Sequence, residues 1–135
     1  MILAVIDTNV IVSALLSKHD DAATVKVLSA IFMKKIVPLY HEDILRKYKD
    51  VLHRSKYPFQ TETVDEIIEW ITKNGIQTTR LTSDETFTDL DDLVFYEVVL
   101  SKRDDDAYLV TGNQKHFPKK PFIVTPSEMV NILGL

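Results

Sequence analysis

Residues 5–10 read VIDTNV: an apolar run that begins at Ile2 stops at a carboxylate, and a second apolar run follows from Val10. Ile2 to Ile6 reads as a strand apolar on both sides, the pattern of a parallel strand covered by helices on both faces. Asp7 then stands at its carboxyl end, and a helix opens around Asn9 and runs from Val10 to Leu16. In open parallel sheets, ligands bind beyond the carboxyl ends of the strands. Taken alone, Asp7 can equally cap the helix that follows it.

Outward from this stretch, strands and helices alternate. Residues 21–35 have apolar positions at helical spacing, with Val27, Ala30, Ile31 and Lys34 marking the faces. Ile36 to Tyr40 is a short strand. The spacing predicts a helix over 42–54, acidic at its start and basic toward its end, as the helix dipole favours. A second helix is predicted over 63–75, with Asn74-Gly75 as its stop. Ile76 to Leu81 reads as a strand, 89–102 as an acid-opened helix, 107–113 as a strand and its exit, and 121–125 as a strand. Thr125, Pro126 and Glu128 form a capping box with proline in the first turn of a last helix. The alternation implies an α/β domain with a mainly parallel sheet of about five strands.

At 135 residues the chain has room for one core, so 1–135 is read as a single domain. It has no cysteine, which excludes disulfides, thiolate catalysis and Cys-based zinc sites. The four histidines show no paired metal-ligand spacing. Asp7 within the first apolar run argues against a signal peptide, and no apolar segment approaches the roughly 20 residues that span a bilayer. A cytoplasmic location and no membrane partner are therefore expected. The net charge of −4 disfavours general attraction to nucleic acid and leaves room for a local basic patch.

Several acids are candidates to meet. Asp7 ends the first strand. Asp89, Asp91 and Asp92 open the helix over 89–102, and Asn113 follows the strand over Tyr108 to Thr111. Asp89 and Asp92 are three apart and share a face, whereas Asp91 points elsewhere. Carboxylates a few ångströms apart raise each other's pKa, and a hard divalent cation with oxygen ligands relieves that repulsion. Singly, each has a plainer role: Asp89 and Asp92 as first-turn acids, Asn113 as a turn residue.

The segments VIDTNVIVSALLS (5–17), ILRKYKDVLHRSKY (44–57), DLDDLVFYEVVLSK (89–102), YLVTGNQKHFP (108–118) and IVTPSEM (123–129) resemble those of the PIN-domain family, in the same order. The resemblance is to its toxin-like, VapC-related branch of toxin–antitoxin components. It implies a Rossmann-like three-layer α/β/α fold, RNA cleavage dependent on Mg²⁺ or Mn²⁺, a homodimer and an antitoxin protein as partner. Carried over by position, Asp7 and Asp92 are the metal-binding acids, with Asp89 beside Asp92 and Asn113 as a hydrogen-bonding group. Thr8 and Thr111 are supporting hydroxyls, and hydrolysis is by metal-activated water.

One position departs from the family pattern. Where ILxEYxxVL carries a glutamate, this chain has Lys47. Asp43, four residues earlier, or Glu42 can supply the missing acid. Lys47 itself can contact substrate phosphate or pair with Asp7 or Asp92. The alternative implied by Lys47 is a PIN-fold module that binds RNA or protein with cleavage weakened. For RNA contact the candidate cations are Arg46, Lys47 and Lys49 on one side and Lys115, Lys119 and Lys120 on the other. His116 is read as closing the loop, with Phe117 packing, rather than as an acid catalyst. Trp70 is read as core or dimer interface. A haloacid-dehalogenase-type phosphatase is excluded, because its leaving-group acid would fall at position 9, which is Asn.

Overall fold

The computed structural model describes residues 1–135. Five strands form one all-parallel sheet: β1 (Ile2–Ile6), β2 (Ile36–Tyr40), β3 (Ile76–Gln77), β4 (Tyr108–Val110) and β5 (Ile123–Val124), in the order β3-β2-β1-β4-β5. In register, Ile2 lies opposite Ile36, and Ala4 opposite Tyr108. Six helices connect and flank the strands: α1 (Thr8–Leu16), α2 (Ala23–Phe32), α3 (Glu42–Leu52), α4 (Thr61–Asn74), α5 (Leu90–Leu100) and α6 (Pro126–Leu133). The chain winds outward from β1 to β3, then returns through α5 to β4 on the other side of β1. With right-handed crossovers, that reversal puts α5 on the face opposite α2, with α3 reaching it at the carboxyl edge of the sheet. Accordingly α5 packs on β1, β2 and β4, while α2 packs on β2 with α1 and α6 against it. The expected α/β/α layering is present.

The buried residues explain the pattern. Ala4, Val5 and Ile6 are buried on both sides of the sheet, with Leu109 and Val110 beside them and Val94, Phe95, Val98 and Val99 of α5 above. The capping box holds as expected: Thr125 Oγ1 accepts the Glu128 amide at 3.1 Å, and Glu128 Oε1 accepts the Thr125 amide at 3.0 Å.

Several boundaries differ from expectation, each for a local reason. The helix expected over 21–35 ends at Phe32, and Lys34, expected on a helix face, turns left-handed at φ 61°. Gly75 does stop α4, yet its backbone is extended rather than left-handed. Glycine is needed there because a Cβ would sit 2.3 Å from the Pro38 carbonyl oxygen of β2. The strand expected over 76–81 is only two residues long. Beyond it the Leu81 amide donates to the Glu97 carbonyl at 2.9 Å, and Arg80 turns to the Glu97 side chain, drawing the chain off the sheet edge.

Candidate active site

The strand order reverses between β1 and β4, which opens a crevice at their carboxyl ends. Asp7 follows β1 and Thr111 follows β4, so the topology brings together residues 104 positions apart. Thr111 Oγ1 donates to Asp7 Oδ2 at 2.8 Å, and Asn9 Nδ2 donates to the same oxygen at 3.3 Å. Neither bond uses Oδ1. Asn9 Oδ1 in turn accepts the Gly112 amide at 3.2 Å, and Thr111 Oγ1 accepts the Asn113 amide at 3.0 Å. These bonds lace the two loops into one rim. From below, the buried Tyr48 hydroxyl donates to the Ile6 carbonyl at 2.5 Å and pins the end of β1.

Asp7 occupies the N-cap position of α1 without making a side-chain capping hydrogen bond. Its carboxylate is turned to the β4 loop instead. It is buried, and burial raises its pKa, opposed chiefly by the Thr111 hydrogen bond. Thr8, next in the chain, carries a buried hydroxyl oxygen with no hydrogen-bond partner in the protein. A buried orphan of this kind is a place where a water or an ion can bind.

Asp92 approaches from α5. Its pKa is pushed up to about 6, first by burial and then by the charges of Asp7 and Asp89. The two carboxylates expected to meet are therefore within electrostatic reach of each other. Asp89 adds its charge from the rim, but its Oδ1 is occupied as the helix cap, accepting the Asp91 amide at 2.9 Å. Asp91 points away, as expected.

His116 lies closer to the acids than expected. Its Nδ1 is 3.5 Å from Asp92 Oδ2, while Phe117 is buried beside it as anticipated. Asp89, Asp92, Lys115 and His116 line a cleft of about 400 Å³. Asn113 reaches the site through its backbone amide, and its exposed side chain makes no hydrogen bond there.

The position of Lys47 is decided by α5. Its ammonium pairs with Asp91 at 2.5 Å, not with Asp7 or Asp92, although its charge still lowers the pKa of Asp92. The acids proposed to replace the missing glutamate lie elsewhere. Asp43 bonds Arg80 at 2.8 Å and Arg46 at 3.0 Å, which holds its pKa low, and Glu42 lies exposed 3.5 Å from Arg46. No group of three histidine or acidic side chains is arranged to hold a metal ion.

Sequence reading missed three participants. Asn9 bridges the two loops, and Tyr48 anchors the strand that carries Asp7. Glu97, buried in α5, binds Arg80 through both Nε and Nη2, at 2.9 and 2.7 Å. A glutamate inside the run VFYEVVL is itself the signal, because a charge on a buried stripe needs a partner. Asn9 and Tyr48 sit within the quoted motifs, where only the fold shows whom they touch.

Comparison with curated proteins and with solved structures returned no match. A family model described as PIN domain matches residues 3–115, and the chain belongs to that family, a nuclease-type fold whose nucleases act on nucleic acid.

Proposed function

We propose that this PIN domain is an endoribonuclease that hydrolyses RNA phosphodiester bonds with Mg²⁺ or Mn²⁺, and that it serves as the toxin of a toxin–antitoxin pair. The observation that carries the nuclease reading is the gathering of Asp7, Asp89 and Asp92 at the crevice between β1 and β4, where burial first and then the charges of Asp7 and Asp89 push the Asp92 pKa up to about 6. The toxin role rests on the resemblance of the quoted segments to the VapC-related branch. A homodimer and an antitoxin partner follow from the same resemblance.

The donor set fits a hard cation. It offers carboxylate oxygens from Asp7 and Asp92, no sulfur, and an orphaned hydroxyl at Thr8. Mg²⁺ commonly binds through one or two carboxylates and completes its sphere with water and substrate phosphate, so a cage of three protein acids is not required. Asp7 and Asp92 would hold the ion. When bound, it would lower the pKa of a water and screen the charge of the phosphate being cut.

The chain's own residues prepare this site. Thr111 and Asn9 fix the Asp7 carboxylate through its Oδ2. Tyr48 and α5 keep the site rigid from below. Asp89 orients groups at the rim through its charge, and His116 beside Asp92 offers a donor to a phosphate oxygen. Asn113 presents its side chain to the substrate from the rim.

Lys47 favours a second reading, a PIN-fold binding module with weakened cleavage, because it puts a cation where the family pattern has an acid. Cleavage of single-stranded and structured RNA by the purified chain in Mn²⁺ and in EDTA decides between them. The nuclease reading expects metal-dependent cleavage that Asp92→Asn abolishes and Lys47→Glu increases. Folded protein that cleaves nothing in either form leaves the binding module.

A further inference from the structure

We propose that single-stranded RNA leaves the acidic cleft along a groove walled by Lys115, Lys119 and Lys120, and not along the cationic face of α3. The inference rests on the cleft being a nucleic-acid site. It goes further by choosing between the two basic tracks that the sequence offers.

The α3 side is already neutralised at all but one of its cations. Arg46 is held by Asp43, Lys47 by Asp91, Arg54 by Asp50 at 3.1 Å, and Arg80 by Asp43 and Glu97. Lys49 alone on α3 is exposed without an acidic partner, so a phosphate arriving there must displace a carboxylate to gain any of the other cations. Little of the counterion release that drives polyanion binding is then left.

The other side is different. Residues 107–127 contain no Asp or Glu but carry three lysines. Lys115 and Lys119 are exposed and have no acidic partner, and Lys120 has only Glu85 at 3.6 Å. The three line a groove of about 580 Å³. Its one acid, Glu128, is taken up by the Thr125 amide and by Gln114 Nε2 at 3.2 Å. Lys115, Phe117 and Pro118 also wall the cleft that contains Asp89 and Asp92, so groove and cleft are continuous.

The chemistry of the groove selects the partner. Phe117 is buried against Phe87 and offers no stacking face, so contact is to phosphates and tolerant of sequence. All three cations come from one short loop. Domains that read duplex RNA meet its backbone over about 16 base pairs, far more than this loop can reach.

The test is binding of a labelled mixed-sequence RNA to the full chain carrying Asp92→Asn, in EDTA, at a series of salt concentrations. The double variant Lys115→Gln/Lys119→Gln should weaken binding and flatten the plot of log affinity against log salt by about 0.7 per lysine. Arg46→Gln/Lys49→Gln should change the slope less. An unchanged slope in the lysine variant, a larger loss in the α3 variant, tighter binding of the duplex, or no binding of single strands each overturns the proposal. Cleavage in Mn²⁺ is measured apart. Cleavage with an unchanged slope sinks the groove alone, and lysine-dependent binding without cleavage sinks the nuclease alone.

Discussion

The Thr111 hydroxyl donates to Asp7 Oδ2 at 2.8 Å, and this bond closes the crevice where the sheet order reverses. Both residues are buried, so the bond offsets part of the cost of keeping a carboxylate out of water. The same rim receives the charge of Asp92, leaving a site whose acids are held together against their mutual repulsion.

Replacing Thr111 by its near-isostere valine should cost about 1–3 kcal/mol, the penalty for a buried acceptor that loses its donor. Thr111 lowers the Asp7 pKa, so its loss penalises the ionised form. The destabilisation should be larger at pH 7.5 than at pH 4, where Asp7 is more nearly protonated. Urea unfolding of both proteins at the two pH values measures it.

Asp92→Asn should stabilise the metal-free protein at neutral pH. The folded pKa of about 6 exceeds the ordinary 3.8, so the folded state binds the proton more tightly. Stability from this group is therefore lost as pH rises from about 4 to about 6. Asparagine never bears that cost, and its gain, up to about 3 kcal/mol, should be complete near pH 7 and vanish near pH 4. Thermal denaturation in EDTA reads the gain, and equal melting temperatures at pH 7 refute it.

Lys47→Glu should destabilise the metal-free protein, because it turns the pair with Asp91 into a like-charge contact and removes the cation that lowers the Asp92 pKa. Exchanging the cation for an anion near Asp92 should increase the rise in melting temperature on adding Mn²⁺. An identical metal response in both proteins contradicts this.

Glu97→Gln should destabilise by roughly 2–3 kcal/mol, because it leaves the half-buried Arg80 guanidinium short of its counter-charge. The loop over 78–89 is tied to Glu97 through Arg80 and the Ser83 amide, so amide hydrogen exchange there should quicken ahead of the core.

Gly75→Ala should cost about 1–3 kcal/mol, because the added methyl meets the Pro38 and Ile71 carbonyl oxygens at 2.3 and 2.5 Å. The loss should appear in the denaturant midpoint with little change in the slope.

What the sequence determined by itself was the local grammar. Doubly apolar strands, helical spacing and the Thr125–Glu128 box required an α/β chain with a parallel sheet, because each reports on neighbours a few residues away. The chain also marked Asp7 and Asp92 as the acids to watch. Tertiary structure alone decided which groups they meet. Thr111 and Asn9 hold Asp7, His116 reaches Asp92, Lys47 is taken by Asp91, and Asp43 is drawn away by Arg80. Those choices depend on where β4, α3 and α5 lie relative to β1, and periodicity carries no information about contacts between charges so distant in sequence.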